Sequence, residues 1–142
     1  MIPRPTERSI CLVSTAMVLI LAVALIAPPA LARVVANTID PVAIVTDDGR
    51  HIVVTGPITC TAGERAFLRA TVTQRTTGAV AEGRTIISCT GDPQEWEVHA
   101  ATQGKSSFQE GPATAVALGR TVSRGDITDA HQWLVNITLV RQ

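Results

Sequence analysis

Hydrophobic positions follow two different patterns along the chain. From Cys11 to Ala27 (CLVSTAMVLILAVALIA) no residue is charged, whereas beyond residue 41 apolar and polar residues alternate in short runs. Alternation with a period of two is the signature of a strand with one buried face. It predicts strands at Val42-Ala43-Ile44-Val45, at Ile52-Val53-Val54-Thr55, and where Leu68, Ala70 and Val72 alternate with Arg69, Thr71 and Thr73. Further on, Ile87 and Cys89 share a face, Trp96, Val98 and Ala100 alternate with Glu95, Glu97 and His99, and Trp133, Val135, Ile137 and Leu139 close the chain. A seventh run places Val116, Leu118 and Val122 on an apolar face, with Arg120 intruding. All ten glycines follow residue 48, mostly five to eight residues apart, so turn signals recur at strand length. The pattern predicts an all-β chain, an antiparallel sandwich of about seven strands.

Two segments compete for helix. Ala66 to Arg75 begins with good helix formers, and Asp126-x-x-Asp129 resembles a capped start with Ile127, Ala130, Leu134 and Ile137 on one face. Val135, Ile137, Thr138 and Val140 are β-branched, and Trp133 would fall off that face, so both segments read as strands.

The uncharged run reads as the core of an export signal. Arg4 and Arg8 precede it, Pro28 and Pro29 end it, and Ala30-Leu31-Ala32 supplies small residues at −3 and −1 of a cleavage site. Residues 1–32 are the expected signal peptide, cut after Ala32, with a second site after Ala36 as the alternative. Residues 33–41 are an expected exposed lead-in, and residues 42–142 the domain. The competing reading is an uncleaved anchor, since seventeen residues approach the roughly 20 that span a bilayer. The chain is thus expected to be secreted, meeting the membrane only during export.

Removing Arg4, Glu7 and Arg8 with the leader leaves ten basic and eleven acidic residues, a net charge of −1. That balance excludes a nucleic-acid binder held by charge. Cys60 and Cys89 remain, and an even number of cysteines in an exported chain predicts a disulfide. A metal site would need more ligands at short spacing, and C-x₂-C is absent.

Four short stretches, Gly56-Pro57-Ile58-Thr59-Cys60, Val72-Thr73-Gln74, Cys89-x₆-Trp96 and Phe108-x₂-Gly111-x-Ala113, together resemble small secreted actinomycete proteins of unknown function. The resemblance covers roughly residues 50–140. It implies an exported, bacterial, immunoglobulin-like β-sandwich with one disulfide, and it brings no active site with it. In true immunoglobulin domains the tryptophan lies between the two cysteines, whereas Trp96 follows Cys89.

Candidate chemistries find little support. His51, His99 and His131 show no metal-binding spacing; Asp126, Asp129 and His131 are the sharpest cluster but lack the alternating oxygen ligands of a calcium loop. Ser106, Ser107 and Ser123 have no G-x-S-x-G context, and Glu95 and Glu97 read as a solvated strand face. Gly104-Lys105-Ser106 lacks the leading glycine of a phosphate loop. Arg124-Gly125-Asp126 and Asn136-Ile137-Thr138 match short adhesion and glycosylation strings that arise easily by chance. No enzyme, cofactor or metal is expected.

The expectation is a monomeric, non-catalytic binding or surface-interaction module for a protein, glycan or small molecule. Thr102 to Gly111 and Ser123 to His131 are the longest polar stretches and the expected contact loops. The alternatives are a small-molecule carrier of the neocarzinostatin type or a secreted enzyme inhibitor; both families carry two disulfides, and this chain has cysteines for one. Trp96 and Trp133 fall in step with apolar neighbours and are expected core anchors, the alternative being a stacking platform for sugar.

Overall fold

A computed structural model describes residues 39–142; the leader, its cleavage site and residues 33–38 of the lead-in lie outside the described residues. Seven strands make up the fold: β1 (Val42–Val45), β2 (His51–Ile58), β3 (Arg65–Gln74), β4 (Ala79–Ser88), β5 (Gln94–Thr102), β6 (Gly111–Ser123) and β7 (Asp126–Arg141). Both segments that competed for helix are strands, β3 and β7, as their β-branched content requires.

The strands do not stay in two separate sheets. They form one closed barrel in the order β1-β2-β5-β4-β3-β6-β7. Parity explains the single parallel contact. Seven neighbours that all reversed direction could not return to the starting strand, so a ring of seven needs an odd number of parallel pairs. That pair is β1 with β7, in register Val42↔Thr138 to Val45↔Arg141; the other six pairs are antiparallel.

Closure is achieved by short seams between long ladders. β4 pairs with β3 over ten residues but with β5 only at Ala81↔Thr102 and Glu82↔Ala101. Likewise β7 pairs with β6 from Ser123↔Asp126 to Gly111↔Leu139, yet with β1 only over its last four paired residues. Gly83 marks the point where β4 crosses β5. A Cβ there would lie 2.6 Å from Val98 Cγ1 and 2.9 Å from Ala100 Cα, and would collide with the His99 carbonyl oxygen. Only glycine permits that approach.

Side chains fill the barrel. Trp96, Phe108, Ile52, Ile58 and Leu139 are among the largest fully buried residues. The Cys60–Cys89 disulfide forms, with Cα atoms 5.3 Å apart, and ties the segment after β2 to the segment after β4.

Three expectations are corrected. On β6 the buried line is Ala113, Ala115, Ala117, Gly119 and Thr121, while Leu118 is 44% exposed and Val116 and Val122 are half-buried. The reason is volume: the rim of the Trp133 indole lies against Gly119, where a Cβ would come within 2.9 Å of two ring carbons. Trp133 itself is half-buried against the core rather than enclosed, because β1 reaches β7 only from Thr138 onward. Third, the end of the lead-in is not free. Ile39 is buried, the Asp40 N–H donates to the Thr55 carbonyl, and the Pro41 carbonyl accepts from Thr138.

Candidate functional site

The alternation that buries one face of each strand sets the chemistry of the other. On β3 the buried residues Ala66, Leu68, Ala70 and Val72 leave Arg65, Phe67 and Arg69 outward. Cross-strand register then builds rows across four strands. Ile86 (β4), Phe67 (β3), Arg120 (β6) and Ala130 (β7) form one row, and Arg84, Arg69, Leu118 and Gln132 form the next. These rows floor a groove of about 750 Å³ on the outside of the β4-β3-β6-β7 sheet.

The groove combines apolar surface with positive charge. Ile86 on β4 is 52% exposed, and Leu118, across β3 on β6, is also exposed. The guanidinium carbons of Arg65 and Arg120 lie 5.4 and 5.3 Å from the centroid of the Phe67 ring, within cation–π range and worth about 0.5–1 kcal/mol each at an exposed site. Neither arginine has a carboxylate partner among the described residues. Arg69 and Arg84 converge instead on Glu82, at 2.6 and 3.4 Å. The hydrogen bond from Arg69, with help from Arg84, holds the Glu82 carboxyl below its ordinary value. On this face four arginines thus stand against one carboxylate, although the whole chain is charge-balanced.

The opposite outer surface has the reverse character. Glu95, Glu97 and His99 alternate with buried Trp96, Val98 and Ala100 on β5, and Glu97 contacts His99 at 2.6 Å.

Of the two sequence-expected contact stretches, only the end of Ser123–His131 reaches the groove, where Ala130 and His131 line it; the rest lies elsewhere. The Thr102–Gly111 stretch is clamped: Phe108 is 1% exposed, and Arg50 donates to the carbonyls of Gly104 and Lys105. The buried Gln74 side chain donates to the Gln109 carbonyl at 2.8 Å and accepts from its N–H at 2.9 Å. Ser123–His131 is a hairpin, with Arg124 and Gly125 at its tip in positive φ. Asp129 and His131 meet at 3.1 Å, and the His131 ring stacks on Trp133 at 5.8 Å between centroids. Among the described residues no group of three or more His, Cys, Asp or Glu side chains is placed to hold a metal. Trp96 is enclosed at 1% exposure.

The groove escaped the sequence reading because its residues come from four strands. The signal was present in the arginines at 65, 69, 84 and 120, each on the polar phase of a strand, but only the register brings them together. No protein-family model matches the chain, and no curated protein matches it.

Proposed function

We propose that the protein is an exported, non-catalytic binding module of immunoglobulin-like topology whose contact face is the outer surface of the β4-β3-β6-β7 sheet, taking an anionic ligand with apolar surface. One observation carries the reading: Arg65 and Arg120 flank the half-buried, outward-facing Phe67 ring, lack carboxylate partners among the described residues, and share the outer face with exposed Ile86 and Leu118. Guanidinium groups already oriented by an aromatic ring offer their N–H edges to an incoming carboxylate, sulfate or phosphate with little further loss of freedom. Apolar neighbours add burial and lower the local dielectric, which strengthens such contacts.

The immunoglobulin-like assignment is supported by the pairing of β2 with β5, of β3 with β6 and of β6 with β7, and by the switch of the first strand from β2 to a parallel ladder with β7. Export is supported by the disulfide, which belongs to oxidising compartments. A carrier of apolar molecules would be favoured by an apolar cleft. The barrel interior is occupied by side chains such as Trp96 and Phe108, and the outer groove sets Arg69, Arg84 and Arg120 beside Phe67, Ile86 and Leu118, which favours a charged ligand.

Anilinonaphthalene sulfonate, an apolar anion, is the direct probe. Its fluorescence should rise with the native protein, fall with Phe67→Ala and Arg120→Ala, and rise further with Glu82→Gln, which releases Arg69 and Arg84. Equal signals from all four proteins, each verified as folded, would defeat the proposal.

A further inference from the structure

We propose that the open edge of β4, from Arg84 to Ile87, accepts an extended acidic segment of a partner polypeptide as an added strand. This rests on the reading of the outer sheet face as an anion-binding surface and names the class of partner.

The edge is open because β4 leaves β5 at Gly83. Its ladder with β5 ends at Glu82↔Ala101, while its ladder with β3 continues to Arg65↔Ser88. Past Gly83, β4 therefore has a neighbour on one side only, and a strand with one unpaired side is a template for another chain. Thr85, Ile86 and Ile87 are all β-branched and hold the extended form that strand addition requires. The Ser88 carbonyl already accepts a hydrogen bond from the Gln94 side-chain amide at 3.0 Å, which marks where an added strand would stop.

Side-chain positions define the sequence such a strand must carry. Outward, Arg84 is largely exposed and Ile86 is half-exposed, with Arg69 and Phe67 directly across β3. An incoming outward residue beside them would best be a carboxylate. Inward, Ile87 packs against the core yet is only partly covered, whereas Ala66 opposite it on β3 is buried. An incoming inward residue would therefore be apolar. The partner is an alternating acidic and apolar segment.

Charge selects this edge over others. β5 beyond the same seam carries Glu95 and Glu97, and the stretch of β7 that β1 does not reach carries Asp126 and Asp129. An acidic strand is repelled at both and attracted at β4.

The test uses the folded protein and a synthetic Glu-Val-Glu-Val-Glu peptide, with binding followed by calorimetry and by backbone amide shifts. Shifts and slowed amide exchange are expected from Arg84 to Ile87. Methylating alternate peptide nitrogens keeps every side chain but removes strand pairing, and should weaken binding by about tenfold or more. Arg84→Ala should weaken it by a similar factor of about ten, and a Lys-Val peptide should not bind. If the methylated peptide binds as tightly as the parent, or if shifts fall only around Phe67 and Leu118, strand addition is wrong although the face still binds anions. If neither the peptide nor anilinonaphthalene sulfonate binds, both readings fail.

Discussion

Replacing Gly83 with alanine adds one methyl group at the place where β4 crosses β5, and the structure sets the sign of its effect. Two contributions oppose each other. Alanine narrows the unfolded ensemble and, where the backbone accepts it, stabilises by about 0.4–1 kcal/mol. Against this, the new methyl meets the His99 carbonyl oxygen, Val98 Cγ1 at 2.6 Å and Ala100 Cα at 2.9 Å. Two of those three atoms are backbone in a strand that is also laddered to β2, so they cannot turn aside as a flexible side-chain end could. Overpacking of this kind costs about 1–3 kcal/mol and occasionally more. Relief requires β4 to lift from β5, which would also break the short Ala81↔Thr102 and Glu82↔Ala101 seam. The clash wins, and a net loss of about 1–3 kcal/mol is expected from a total of roughly 5–15 kcal/mol. Urea denaturation of both proteins measures it, with amide exchange showing whether the loosening is centred on that seam. A variant more stable than the parent by about 0.4–1 kcal/mol, as chain entropy alone would give, would refute the close crossing of β4 and β5.

Cys89→Ala opens a loop spanning a sequence separation of 29 residues, and should lower unfolding free energy by about 3.6 kcal/mol on the loop-entropy account; thermal denaturation with and without reductant reads this, since reduction should affect only the parent. Gln74→Ala strands the N–H and carbonyl of Gln109, costing about 1–3 kcal/mol, and faster amide exchange through Gln103–Glu110 should accompany the loss. Because the Arg69 hydrogen bond lowers the Glu82 pKa in the folded protein, the stabilisation it gives is present above the ordinary value of 4.5 and fades as pH falls through the lower folded value. The stability advantage of the parent over Glu82→Gln should therefore shrink on acidification below that range, as denaturant midpoints would show.

The strands were legible because period-two alternation is a local property: six of the seven runs lie within a strand, even where composition at Ala66 or Asp126 competed, and the Ile87–Cys89 run catches only the end of β4. Their facing was legible only where charge and hydrophobicity agreed. On β6 the larger apolar residues Val116, Leu118 and Val122 suggested the buried face, yet Arg120 shares their phase, and a charge in phase is the stronger signal because burying it unpaired costs more than exposing a leucine. The small line Ala113, Ala115, Ala117 and Gly119 is buried because Trp133 and Leu68 supply the volume opposite Gly119, a partnership between strands that no single run displays. Barrel closure was hidden for a similar reason. It depends on two short seams and one glycine crossing, not on the content of any strand. The contact loops expected from polarity proved to include a buried anchor, Phe108, which polarity averaged over the stretch conceals.

The central claim is that the outer face of β4-β3-β6-β7 binds anions that carry apolar surface. Backbone and arginine side-chain shifts recorded during parallel titrations with decanoate and with decyltrimethylammonium test it most directly, since the two probes share a hydrocarbon tail and differ in charge. Saturable shifts at Arg65, Phe67, Leu118 and Arg120 with decanoate alone, weakened by added salt, are the expected result. Equal response to both probes, or a decanoate response centred on the Glu95–His99 face instead, would contradict the account.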